Sequence, residues 1–212
     1  MSIFDITLPV SSALPVWPGD PAIHFYRIAD VNTGDMCTLS RLDSGSHLGT
    51  HLDAPRHFIK NGQPVDQLDL SVLIGPCRVV HVPDAEVIDA ALLDTLHLPA
   101  DTTRLLFRTR NSDIWARADS GIFRTDYVGI DPSGAEWIVE RGLRLVGIDY
   151  MSIAPFADTI RPHQILLGAG VIAVENLNLS GIRPGAYQLI CLPLKLQDGD
   201  GAPARVVLLR DE

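Results

Sequence analysis

The chain has 212 residues, 46% of them hydrophobic and 20% charged, an ordinary globular balance that excludes extended disorder. Lys and Arg number 17 against 26 Asp and Glu, a formal net charge of −9. That charge argues against a nucleic-acid surface, whose affinity rests on basic side chains.

No apolar run approaches the ~18 residues of a membrane span. The opening MSIFDITLPV carries no basic segment ahead of an apolar one. The expectation is a cytoplasmic protein with no membrane partner. Cys37, Cys77 and Cys191 are far apart and odd in number. They suit reduced, mostly buried thiols better than a disulfide framework or a Cys-x-x-Cys metal site.

In chain order, Ile3 to Pro9 alternates and meets a proline, which suits a first strand at a sheet edge. The next segment, Leu14 to Pro21, is a loop stiffened by Pro15, Pro18 and Pro21 and holding Trp17. Arg78–Val82, Arg104–Arg108, Leu143–Ile148, Val171–Glu175, Tyr187–Leu192 and Arg205–Leu209 are apolar or β-branched runs bounded by turn residues, and predict strands. Helices are predicted over Asp89–Leu96, over Asp131–Gly142 with an N-cap, an early proline and a glycine stop, and over Arg161–Gly168. Strands outnumber helices and helices fall between them, so the pattern is mixed α/β or α+β with a large sheet. With no repeat and no linker, residues 1–212 form one domain.

Three of the seven histidines, His47, His51 and His57, fall within eleven residues that also hold Asp53. On a helix His47 and His51 would share a face, but Gly49, Thr50 and Pro55 oppose a helix here. In an extended strand His51, Asp53, Pro55 and His57 fall on one side at period two. Either geometry gathers imidazoles and a carboxylate, the ligands of Zn²⁺, Mn²⁺ or Fe²⁺. Further ligands are sought elsewhere. The candidates are His163 and Glu175, a carboxylate closing the apolar run Val171–Val174. A buried carboxylate there needs a cation; alternatively the strand has surfaced. No Gly-x-Ser-x-Gly elbow and no phosphate-binding glycine loop competes with this cluster.

His47-Leu48-Gly49-Thr50-His51-Leu52-Asp53-Ala54-Pro55-Arg56-His57 resembles the H-x-G-T-H-x-D-x-P-x-H signature of the cyclase-like metal-dependent hydrolases, the superfamily of bacterial kynurenine formamidase and isatin hydrolase. The likeness continues at Trp17-Pro18-Gly19-Asp20, Gly147-Ile148-Asp149, His163 with Glu175-Asn176-Leu177, Leu192-Pro193-Leu194-Lys195 and Gly201-Ala202-Pro203-Ala204-Arg205. It implies an α/β domain with a mixed, twisted, partly barrel-like sheet and flanking helices, of the swivelling β/α/β type, assembled as a homodimer or higher homo-oligomer.

It also implies one or two divalent ions, Zn²⁺ foremost and Mn²⁺ as alternative. His47, His51 and Asp53 would hold one, and Asp53, His163 and Glu175 would hold or bridge a second. His57 becomes the general acid/base, and Trp17 covers the aromatic part of a small-molecule substrate. The expected activity is hydrolysis of a C–N amide bond other than a peptide bond, most directly an aryl formamide such as N-formyl-L-kynurenine in tryptophan degradation. Cyclic amides, imides or lactones are the alternative substrates, and an inert metal-binding structural protein is the non-enzymatic alternative. Thr50, where the kynurenine formamidases typically carry alanine, and the sequence Asn176-Leu177 after Glu175 lean toward the broader cyclase-like branch. His24, His81 and His97 read as structural, and Trp115 and Trp137 as packing residues.

Overall fold

The structure, a computed structural model, describes residues 1–117 and 120–210. Ten strands carry it: β1 (Ser2–Asp5), β2 (His24–Ala29), β3 (Leu39–Asp43), β4 (His51–Asp53), β5 (Ile74–His81), β6 (Arg104–Arg108), β7 (Leu145–Ile148), β8 (Ile172–Glu175), β9 (Gly185–Pro193) and β10 (Gly201–Arg210). The α-helices are α1 (Leu70–Leu73), α2 (Ala90–Thr95), α3 (Pro132–Glu140) and α4 (Ile160–Gly168).

Eight strands form one mixed sheet in the order β1-β10-β4-β8-β7-β6-β5-β9. Strands β5 to β8 run parallel, β4 and β10 antiparallel to their neighbours. Strand β9 pairs with both β5 and β10, so the sheet curls back on itself into a partly closed barrel. This is the expected α/β architecture.

Strands β6, β7 and β8 are buried on both faces, which is why they read as nearly unbroken apolar runs, whereas β5 alternates buried and exposed residues. Leu106, Leu145, Ile172 and Val174 pack into one core with Leu189, Val206 and Leu208. Leu105, Phe107, Val146, Ile148 and Ala173 face the other way, against Leu93 of α2, Ala135 and Ile138 of α3 and Leu166 of α4. Helix α3 starts where its sequence says it should. The Asp131 side chain accepts from Gly134 N, Pro132 opens the first turn, and Gly142 follows at φ 77°.

The structure departs from the sequence reading in three places. Strand β1 ends at Asp5, short of Pro9. Beyond it Ile6 N still donates to Val206 O, but the Thr7 hydroxyl then donates to Val206 O and accepts from Val206 N, and Leu8 N donates to Thr50 Oγ1, so side chains take over from the ladder. Second, residues 47–57 are extended only over β4. Gly49 sits at φ 56° before it, and Pro55 opens a 3₁₀ turn, Pro55–His57, after it. Third, β2 and β3 form a separate two-stranded hairpin in a stretch to which the sequence reading assigns no element. Both its faces are exposed, so no alternation of buried and exposed residues marks it.

Candidate metal centre

Four elements converge on one buried point. Strand β4 supplies His51 and Asp53, and the residues before it supply His47. Its antiparallel neighbour β8 places Glu175 directly opposite His51 in the register. Helix α4 supplies His163. The turn after β4, closed by His57 N donating to Ala54 O, folds His57 back over His47, with ring centroids 4.0 Å apart. His57 therefore reaches the cluster through a turn and not through period-two alternation.

His51, Asp53, His163 and Glu175 are 1–4% exposed. The strand ending in Glu175 therefore does not surface. Asp53 Oδ1 lies 2.9 Å from His47 Nδ1 and 3.5 Å from His51 Nε2, and Oδ2 lies 3.5 Å from His163 Nε2. Glu175 Oε2 is 3.4 Å from His51 Nε2, and Oε1 is 3.1 Å from His163 Nε2. The atoms offered by His47, Asp53 and His57 lie within 4.8 Å of one another, as do those of His51, Asp53 and Glu175. Asp53 belongs to both groups.

The outward nitrogens fix the rings. His51 Nδ1 donates to Gly49 O at 2.8 Å, and His163 Nδ1 donates to Thr159 O at 2.5 Å. A carbonyl only accepts, so in the neutral rings both Nε2 lone pairs are left facing the carboxylates. His47 makes its outward bond through Nε2, to Asp200 Oδ2 at 3.1 Å.

The electrostatics follow from this crowding. Burial opposes charge on His47, but Asp200 and Asp53 outweigh it and raise the ring to about 10. For His163, burial is likewise outweighed, by Asp53 and Glu175, again to about 10. Burial would raise Asp53, yet His163 and His47 hold it well below the usual carboxylate range. Burial lowers His57 below 6.5, against the pull of Asp53.

Asp53 itself shows that the donor set suits a divalent cation. Both its oxygens are buried, and neither accepts a hydrogen bond of acceptable geometry, even with His47 Nδ1 close by. An orphaned buried carboxylate ringed by imidazole nitrogens and a second carboxylate fits a divalent cation, which would satisfy both oxygens at once.

The cluster floors a cavity of about 410 Å³. Trp17 lines it, braced edge-on against Phe123 at 5.1 Å and tilted against Phe156 at 5.8 Å. The Trp115 indole stacks on Tyr150 and donates to Asp149 O, and Trp137 donates to Asp94, both as packing residues. His24, His81 and His97 are exposed and do not line the cavity.

The sequence reading missed Asp200 and Asn176 as cavity residues. Asn176 is 2% exposed at φ 56°, and its amide donates to Gly49 O, holding the backbone bend that aims His51. Both lie beside segments already singled out, Glu175 and Gly201, which was the available signal.

A family model for cyclases matches residues 4–155. The chain belongs to the cyclase family. This cyclase-family chain is 39% identical, over 98% of its length, to Cyclase-like protein 3 of Oryza sativa subsp. japonica, covering 80% of that protein. It is 37% identical to the kynurenine formamidase of Salinibacter ruber, with 98% and 97% of the two chains covered. A solved structure described as a potential metal-dependent hydrolase with cyclase activity superposes with a TM-score of 0.84 at 29% identity, covering 100% of this chain and 99% of that one. Isatin hydrolase A from Labrenzia aggregata matches with a TM-score of 0.83 over 99% of this chain and 94% of its own, at 24% identity, a likeness of fold.

Proposed function

We propose that this cyclase-family protein is a metal-dependent amidohydrolase acting on an aryl formamide, with N-formyl-L-kynurenine as the first substrate to test. The observation that carries the reading is the orphaned Asp53 carboxylate buried behind His47, His51, His163 and Glu175, which line a cavity with Trp17 and Phe58 in its wall. The Salinibacter kynurenine formamidase at 37% identity and the metal-dependent hydrolase fold support it.

In this reading His47, His51 and Asp53 would hold one ion, and Asp53, His163 and Glu175 would hold or bridge a second; Zn²⁺ is foremost and Mn²⁺ the alternative. A divalent ion bound there would lower the pKa of water toward ~7 and polarise a substrate carbonyl. The residues do the rest. Carbonyl partners keep the His51 and His163 lone pairs turned inward. His57 is held below 6.5 by burial, so near neutral pH its imidazole is uncharged and can accept a proton from water. It then returns that proton to the leaving nitrogen. Trp17 covers the aromatic ring of the substrate and excludes water from one side of the cavity.

The test is hydrolysis of N-formylkynurenine by stripped protein reconstituted separately with zinc and manganese, with His57→Ala in parallel. Metal-dependent turnover, reduced about 10²–10⁴-fold in His57→Ala while most of the metal stays bound, is the expected result. A His57→Ala protein that no longer takes up metal overturns the acid/base role. No turnover with stoichiometric metal discards this substrate and moves the search to cyclic amides, imides and lactones. A metal-loaded protein inert on all of these favours the non-enzymatic alternative, a metal-binding structural protein.

The reading extends to a cytoplasmic homodimer. Three free cysteines support a reducing compartment. A lone two-stranded hairpin is marginal in water, yet β2–β3 exposes Phe25, Ile28, Leu39 and Leu42, with Val31 and Met36 between them. A second copy can cover this patch with its own equivalent. Light scattering of the wild type and of Ile28→Asp tests it: a dimer that the substitution splits is expected, and a monomeric wild type overturns it.

A further inference from the structure

The carboxylate of Asp200 lies outside the ligand set proposed above, yet it faces two of the cluster's four imidazoles. Its Oδ2 accepts from His47 Nε2 at 3.1 Å and faces His57 Nδ1 at 3.6 Å. Its Oδ1 accepts from Ser46 Oγ at 3.0 Å. The carboxylate is therefore clamped from one side and presents a single oxygen to both rings.

The backbone is clamped as well. Asp200 O accepts from Ala54 N at 2.9 Å, and the next residue, Gly201, pairs with Asp53 across the β10–β4 ladder. A side chain at Gly201 would put its Cβ 2.6 Å from His47 Cε1, so the imidazole occupies the space that the bare backbone leaves there. Asp200 thus holds the His47 ring through Nε2 while Gly201 leaves room for it. The other two inward-facing imidazoles, His51 and His163, take their outward bonds from main-chain carbonyls. His47 alone of the three depends on a side chain, one that is 46% exposed.

We infer that Asp200 is a positioning residue that sets the tautomer and rotation of His47. By accepting from Nε2–H it leaves the Nδ1 lone pair turned to Asp53, and the same oxygen orients His57 through Nδ1. Outer carboxylates of this kind raise the basicity of a ligating imidazole and limit its rotation. The inference rests on His47 being a ligand, as proposed above, and names the residue that makes it one.

The test measures zinc affinity by chelator competition on stripped wild type, Asp200→Ala and Asp200→Asn. Circular dichroism confirms that each metal-free variant folds as the wild type does. Asp200→Ala is expected to bind zinc about 10–100-fold more weakly, and Asp200→Asn, which keeps an accepting oxygen, to lose clearly less. In the zinc-loaded wild type, long-range ¹H–¹⁵N spectra should show His47 protonated at Nε2, and that signature should be lost in Asp200→Ala. Unchanged affinity in Asp200→Ala overturns the inference. Equal losses in both variants also overturn it, because a carboxylate acting through charge alone needs no hydrogen bond. A wild type that binds no zinc or manganese defeats the metal reading itself, a result separable from either of these.

Discussion

Asp53 and Asp149 are both fully buried carboxylates beside strands of the same sheet, at 1% and 0% exposure, and they are opposites. Asp149 follows β7 and is saturated. Its Oδ1 accepts from Thr109 Oγ1, and its Oδ2 from Thr109 N, Ser112 N and Ser112 Oγ. These bonds tie the end of β6 and the 3₁₀ turn Arg110–Ala116 to β7. Asp53 accepts no hydrogen bond of acceptable geometry. Where neutral donors fill a carboxylate's lone pairs, the group is architecture. Where imidazoles surround it without satisfying it, the site is built for something else to do so. The Gly147-Ile148-Asp149 segment, part of the family resemblance, therefore ties β7 to the end of β6 and its following turn.

That contrast can be broken by exchanging each carboxylate for its amide. Asp53→Asn should lose metal uptake by more than the about 10–100-fold typical of an outer-sphere change, read by chelator competition. Asp149→Asn should keep full metal stoichiometry and instead lose about 1–3 kcal/mol for each donor left facing the amide nitrogen, read as a lower urea midpoint. If Asp149→Asn emptied the metal site at unchanged stability, the division would fail.

Metal removal sharpens the same point from the other side. If the ion satisfies Asp53, stripping it should lower the unfolding midpoint. Restoring it at a thousand times its dissociation constant should stabilise by about 4 kcal/mol. No change on addition would mean that the cluster is already satisfied without an ion.

The pH dependence separates the two carboxylates further. Burial raises Asp149 above 3.8 in spite of the bonds from Ser112 and Thr109. A folded-state pKa above the unfolded one gives stability that is fully present below the unfolded value and is lost as pH rises through the folded value. Subtracting the Asp149→Asn profile from the wild-type profile should isolate that downward step in mildly acid solution. A difference that rises with pH there would reverse the assignment.

The smallest effect concerns the thiols. Burial pushes Cys77 and Cys191 up to about 12, whereas Cys37 is exposed. A thiol reagent at pH 8 should therefore titrate one cysteine in the native protein and all three after unfolding. Rapid reaction of all three in the native protein would show that the sheet interior opens.

Much of the fold was legible because local signals and tertiary demands agree. The caps of α2 and α3 work on their own backbones, with Asp89 accepting from Leu92 N and Asp131 from Gly134 N. Strands β6, β7 and β8 announce themselves because both faces are buried. The hairpin β2–β3 was not legible, because a strand pair with two exposed faces has no burial pattern to display. The turn at Pro55–His57 was missed for a related reason. The residues alternate as a strand would, and only the 3₁₀ turn with its bond back to Ala54 ends it.

By itself, the sequence carried the family resemblance in the long motif His47 to His57, and it marked a metal site because three imidazoles and a carboxylate within eleven residues have few other uses. It also determined the central strands and capped helices, which depend on short-range chemistry. Only the tertiary structure decided that Glu175 is buried opposite His51, that α4 brings His163 to Asp53, and that Asp200 crosses the β10–β4 ladder to reach His47. Those contacts join residues far apart in the chain. Strand register and helix packing bring them together, and neither is encoded in any one segment.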